Sequence, residues 1–313
     1  MEQDHRRTIA RFAPMNPLPE NVHNNPLIVA PGTLYDLVVM DRRQFLALSA
    51  AALAVPVFGA ADIPVGLEMY SVREEFKRDP MGTVRAVAEM GYQGVEFYAP
   101  YFDWTLDQAN DMRKLLDEVK MRCFSTHNGP KSFTPENIAK AVELNQALGS
   151  KYLILASAGK IGTLDGWKPV ANMLSHASEQ LKSHDLRTGY HNHQLEFTPV
   201  NGKRPIEYLA EHTPKDVVLQ LDLGTCVEAG SDPAVWIAQN PGRIRSMHLK
   251  DWSKADGYQA LFGEGEVKWK SVFHAAESVG GLEYYLIEQE GSKYTPLETA
   301  GKCLAAFRQL HNA

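Results

Sequence analysis

From residue 64 onward, short apolar runs alternate with amphipathic segments at a spacing of about 30 residues, and this alternation limits the fold more than any other feature. Eight runs read as strands: Val65–Met69, Gly94–Tyr98, Arg122–Thr126, Tyr152–Ala156, Arg187–His191, Val217–Asp222, Ile244–Leu249 and Tyr284–Glu288. Between them, Leu106, Ala109, Met112, Leu115, Leu116 and Val119 recur at i, i+3, i+4 spacing, as do Ile138, Ala141, Val142, Leu144, Ala147 and Leu148. That period is helical. Thr134-Pro135-Glu136 is expected to open the second helix, with threonine as cap and proline in the first turn. Gly91, Gly149 and Gly280 are expected to close helices.

Strict strand–helix alternation points to a parallel sheet, because parallel neighbours need a crossover helix. Eight units favour closure into a single (β/α)8 TIM barrel over an open doubly wound sheet. The 313 residues, 44% hydrophobic and 22% charged, leave ample chain for a barrel of roughly 250 residues. No GxGxxG follows the first strand and no GKS or GKT phosphate loop occurs, so the usual dinucleotide and nucleotide signatures are missing. A net charge of −6 with interspersed signs argues against a nucleic-acid groove. Cys123, Cys226 and Cys303 lie far apart without a CxxC pair and are expected to be buried free thiols.

The N-terminal region reads differently. Asp41-Arg42-Arg43-Gln44-Phe45-Leu46 leads into an apolar stretch ending at Phe58, and small residues Gly59-Ala60-Ala61 follow. This is the pattern of a twin-arginine export signal over residues 40–61, too short for a membrane span of about 20 residues. The expectation is a periplasmic protein with no stable membrane insertion after processing. Residues 1–39 lack periodicity and read as a gene-model extension or disordered segment, with Met40 as the start. The barrel then occupies 62–313.

Chemistry gathers where strands stop. In a barrel of this kind, catalytic groups project from the C-terminal strand ends. Strand five ends in Gly-Tyr-His191-Asn-His193, strand six in Leu-Asp222, strand seven in His248-Leu-Lys250, and strand eight in Ile-Glu288. Four consecutive strands are neighbours, so their ends converge. His191, Asp222, His248 and Glu288 would make a mixed nitrogen and oxygen site for one divalent ion (Mn²⁺, Co²⁺, Zn²⁺, Fe²⁺ or Mg²⁺, with Mn²⁺ or Zn²⁺ favoured). Taken singly, Asp222 reads equally as a helix cap and His248 as a core histidine.

At this point the region from about 64 to 313 resembles the sugar phosphate isomerase/epimerase superfamily, the xylose-isomerase-like TIM barrels. The resemblance rests on Gly66-Leu67-Glu68-Met69-Tyr70-Ser71-Val72-Arg73, Gly94-Val95-Glu96-Phe97, Gly189-Tyr190-His191-Asn192-His193, Leu221-Asp222, His248-Leu249-Lys250-Asp251, Gly263-Glu264-Gly265-Glu266-Val267 and Glu288-Gln289. It implies a divalent metal held at the ends of strands five to eight. Many members carry glutamate at the strand-five position; this chain resembles a subgroup with His191 there. The symmetric two-glutamate epimerisation mechanism therefore does not carry over directly.

Chemical roles follow as expectations. A metal-bound carbonyl acidifies the neighbouring C–H, and a positioned base removes the proton. Glu288, Lys250, His127 and Glu96 are the candidate acid/base residues. Glu68, Tyr70 and His193 are candidate sugar contacts, with Glu196 as an orienting carboxylate. The expected activity is isomerisation or epimerisation of a keto sugar or polyol, with β-elimination on a 3-keto sugar or glycoside as the alternative. A non-catalytic carbohydrate-binding barrel and a DNA-repair endonuclease are the readings from other classes. The expected partner is a small sugar or polyol, and a homo-oligomer is compatible with the chain.

Overall fold

A computed structural model describes residues 63–312. The gene-model extension expected at 1–39 and the export segment expected at 40–61 lie outside them. The described chain forms a closed barrel of eight parallel strands in sequence order, with β8 pairing β1. The strands are β1 Val65–Glu68, β2 Gly94–Phe97, β3 Arg122–Asn128, β4 Tyr152–Leu155, β5 Arg187–His191, β6 Val218–Asp222, β7 Ser246–Leu249 and β8 Tyr284–Ile287. All eight expected strands are present, shifted by at most two residues at either end. No helix among the described residues is long and apolar enough to cross a membrane.

The sequence pattern explains how the barrel fills. Along each strand, alternate residues face inward or pack against the helix ring. Phe124, Tyr152, Ile154, Val218, Tyr284 and Leu286 form the plug inside the barrel. A Cβ added at Gly94 would sit 2.5 Å from the Phe124 ring, and one at Gly66 would sit 2.9 Å from it. The two glycines thus make room for a large side chain on the third strand.

One irregularity re-aims the upper half of β3. Val95 pairs with Cys123, but Glu96 pairs with Ser125, so Phe124 is an extra residue opposite β2. A bulge of this kind reverses the inside–outside parity beyond it. Phe124 and Ser125 both serve the interior, Thr126 turns outward to bond Asn145 at 2.8 Å, and His127 turns inward. Were the same sequence to alternate without a bulge from Cys123 onward, His127 would face the helices.

Two helix boundaries depart from expectation. The helix expected to open at Thr134-Pro135 begins at Ile138. The Thr134 carbonyl accepts from the amides of Asn137 and Ile138, and its hydroxyl from the Asn137 side chain, so the segment makes one isolated turn and continuous helical bonding starts at Asn137. Gly91 and Gly149 do close helices, with φ of 94° and 73°. At Gly280 the chain instead makes a π-helical turn over Ala276–Gly280, and Gly281 takes the left-handed conformation with φ 79°. All three cysteines are free and buried.

Candidate metal centre

Strand register assembles the site. Asp222 lies directly beside His248, His191 beside Gln220, and Glu68 beside Glu96. His191, Asp222, His248 and Glu288 each place one donor atom within 4.8 Å of the others, and all four are buried. The four residues expected to form one site are therefore brought together, two imidazoles and two carboxylates suited to a single divalent ion.

Asp222 shows why the two readings of that residue are compatible. Its Oδ1 accepts from the Thr225 amide at 2.8 Å and caps the helix Leu223–Glu228. Its Oδ2 is buried without a protein partner among the described residues. An unpaired buried carboxylate oxygen costs several kcal/mol unless a cation meets it, so the donor set fits a metal. Asn192 holds Asp222 in place, accepting from its amide at 3.1 Å and donating to Thr225 Oγ1 at 3.0 Å.

The remaining candidates occupy three distinct surroundings. Glu96 and His127 lie one residue inside their strand ends rather than at them. Glu96 is fully buried; its Oε1 accepts from His248 Nε2 at 2.7 Å and lies 3.0 Å from His127 Nε2. Its Oε2 accepts from Gln220 Nε2 at 2.9 Å and from the Ser125 hydroxyl. Burial pushes the Glu96 carboxyl up, but the His127 and His248 imidazoles override it and hold it at about 2. Glu68 is fully buried beside Glu96; burial, then the Glu96 charge, raise its pKa, and its Oε2 has no hydrogen-bond partner among the described residues. Tyr70, at 38% exposed, stands edge-on to Tyr98 on the barrel rim with the Arg73 guanidinium 4.5 Å above its ring.

His248 sits between two carboxylates, with Nδ1 2.7 Å from Glu288 Oε2 and Nε2 on Glu96. Burial opposes its charge, but Glu96 and Glu288 together raise its pKa to about 10. His191 and His127 shift the other way. Burial lowers both, and the neighbouring imidazoles push His191 well below the usual histidine range. Glu288 stays ionised: burial raises its pKa, yet Lys250 and His248 bring it well below the ordinary carboxylate value. Lys250 is buried 3.5 Å from Glu288 Oε1, also pairs with Glu290, and lies 5.0 Å from the Tyr258 ring. Burial disfavours its charge, but Glu288, Asp222 and Glu290 keep it protonated.

Around this cluster, His193 is half-buried with its ring 5.1 Å from that of His191. Glu196 accepts from the His193 amide at 2.8 Å and the Tyr190 hydroxyl at 2.7 Å, which orients the strand-five end. The loop after β7 is gathered by Asp251, whose carboxylate accepts from the amides of Trp252, Gly263, Gly265 and Val267. Gln289 Nε2 donates to the Tyr258 carbonyl at 2.6 Å and ties that loop to the end of β8.

Sequence reasoning missed Gln220. Its signal was present: a polar amide at an inward position of the otherwise apolar run Val-Leu-Gln-Leu-Asp, two residues before Asp222.

Residues 84–310 match the family model described as xylose isomerase-like TIM barrel. An inosose dehydratase from Clostridium tetani is 30% identical over 162 residues, 45% of this chain and 54% of that protein. One from Mesomycoplasma hyopneumoniae strain J is 25% identical over 265 residues, 72% of this chain and 87% of that protein. Among solved structures, a sugar phosphate isomerase/epimerase from Parabacteroides distasonis superposes with a TM-score of 0.68 at 25% identity, covering 80% of this chain and 95% of that one. The zinc-bound IOLI protein shares the fold at a TM-score of 0.62 and 16% identity, over 79% of this chain and 97% of that one.

Proposed function

This chain belongs to the xylose isomerase-like TIM barrel family, and on that premise we propose a divalent-metal lyase that eliminates water or an alcohol from a keto sugar or inosose-like polyol. One observation carries the metal part: two histidines and two carboxylates converge while Asp222 Oδ2 lacks a protein partner among the described residues. His191, Asp222, His248 and Glu288 would hold the ion, which when bound polarises a substrate carbonyl and acidifies the adjacent C–H.

The protein's own groups supply the rest. His127, whose pKa burial lowers, is a neutral imidazole whose hydrogen bonds among the described residues run through Nε2. Its Nδ1 is the group we assign to remove the proton. Lys250 stays charged beside Glu288 and stabilises negative charge developing on the substrate oxygen. Tyr70 and His193 flank the mouth and bind hydroxyls or the ring face.

Elimination is favoured over isomerisation for two reasons. Two of the similar relatives are named inosose dehydratases, and His191 replaces the second glutamate that a symmetric two-base epimerisation would use. The isomerase/epimerase reading keeps support from the Parabacteroides protein, whose name carries that activity. Both reactions begin with the same proton abstraction. The test is to incubate metal-loaded protein in D₂O with inosose, 3-keto glucosides and ketohexoses, following C–H exchange and enone absorbance. Exchange with enone formation supports the lyase; exchange with an inverted or shifted centre supports the isomerase. Neither exchange nor product across the panel would leave a non-catalytic sugar-binding barrel.

We also propose export, carried by Arg42-Arg43 and the apolar stretch behind them. Residues 40–61 fused to a reporter should direct it across the membrane only when both arginines are intact.

A further inference from the structure

We propose that Gln220 and Glu96 act together as a positioning unit that decides which nitrogen of each buried histidine carries its proton. Gln220 Oε1 lies 3.1 Å from His191 Nδ1 and 2.6 Å from His127 Nε2, while its Nε2 lies 2.9 Å from Glu96 Oε2. An amide side chain can be turned either way, and only its neighbours fix the choice. Here Glu96 fixes it. An ionised carboxylate only accepts hydrogen bonds, so the amide nitrogen must face Glu96 and the carbonyl must face the two imidazoles.

The consequences run outward from that single orientation. The Gln220 carbonyl can only accept, so His191 carries its proton on Nδ1 and His127 carries its proton on Nε2. His191 is left with an Nε2 lone pair and His127 with an Nδ1 lone pair. Glu96 Oε1 in turn accepts from His248 Nε2–H, which reserves His248 Nδ1 for the side shared with Glu288. Glu96 receives Ser125, Gln220, His127 and His248 together, so its oxygens are saturated. It is a positioning residue, not a proton carrier. Three histidines packed with ring centroids 4.4 to 5.0 Å apart are thereby made chemically different from one another.

The benefit to a bound metal rests on the function proposed above; the proton placement itself does not. Long-range proton–nitrogen correlation spectra of histidine-labelled, metal-free protein at neutral pH read it directly. The expected result is His191 protonated on Nδ1 and His127 on Nε2, and in zinc-loaded protein His248 keeps its Nε2 proton. Gln220→Leu should mix the His191 and His127 tautomers and weaken zinc and manganese binding by about 10- to 100-fold. His191 carrying its proton on Nε2 in the wild type overturns the proposal. So does a folded Gln220→Leu with unchanged tautomers, or a second metal equivalent that strips the Nε2 proton from His248. Correct tautomers in a wild type that takes up no metal would instead count against the metal centre alone.

Discussion

Asp251 Oδ2 accepts a hydrogen bond from the Trp269 indole Nε1 at 3.0 Å, so a single buried carboxylate spans the two ends of the long loop after β7. With four backbone amides on the same group, the loop has one central anchor in place of regular structure. Asp251→Ala leaves several buried donors unpaired, at about 1–3 kcal/mol each. The melting temperature should fall sharply, and protease should cut within residues 252–268 faster than in the wild type. An unchanged cleavage pattern would show the loop to be held elsewhere.

Metal uptake should release about one proton per chain near pH 8. His248 titrates at about 10 in the metal-free protein and must lose its Nδ1 proton to bind. Calorimetry in buffers of different ionisation enthalpy measures the number directly.

The same shifts set the pH range of the metal-free fold. For His248 the folded pKa, about 10, exceeds the unfolded value of about 6.5, so its stabilisation is full below 6.5 and is lost as pH rises through 10. For Glu96 the folded value, about 2, lies below the unfolded value of about 4.3. Its stabilisation is present above 4.3 and lost as pH falls through 2. Thermal melts of metal-free protein should decline on both flanks, and metal should flatten the alkaline one.

Lys250→Met should lower kcat by about 10²-fold while leaving one metal per chain, because Lys250 is assigned to charge developing on substrate rather than to the ion. Metal analysis beside steady-state kinetics separates the two. Loss of metal in step with activity would move Lys250 into the ligand-holding set.

Gly94→Ala should destabilise the barrel by about 1–3 kcal/mol. The new Cβ would meet the Phe124 ring at 2.5 Å and the Arg122 carbonyl at 2.7 Å. Phe124→Leu in the same chain should recover part of the loss, measured by denaturant unfolding.

The alternation of Val, Leu and Ile runs with helical stripes made the eight strands legible, since burial on both faces leaves a parallel strand few polar positions. The convergence of His191, Asp222, His248 and Glu288 was legible because each is a polar ligand-type residue within one residue of the C-terminal end of its strand, on four consecutive strands. What lay one layer deeper was not. Glu96, Ser125 and Gln220 touch only across strands, and their partners depend on register that no single segment encodes. The turn at Thr134 was misread because Asn137, a local competitor for the cap, sits three residues on.

The extra residue at Phe124 makes the barrel's chemistry depend on a counting rule. Pairing β3 without the bulge, with no change of sequence, would turn the His127 imidazole out of the cavity and Thr126 in. Such a slip would act like a frameshift written in space, exchanging the inner and outer lettering of one strand tip. A related barrel with an even strand here would need its histidine one residue earlier to present the same group.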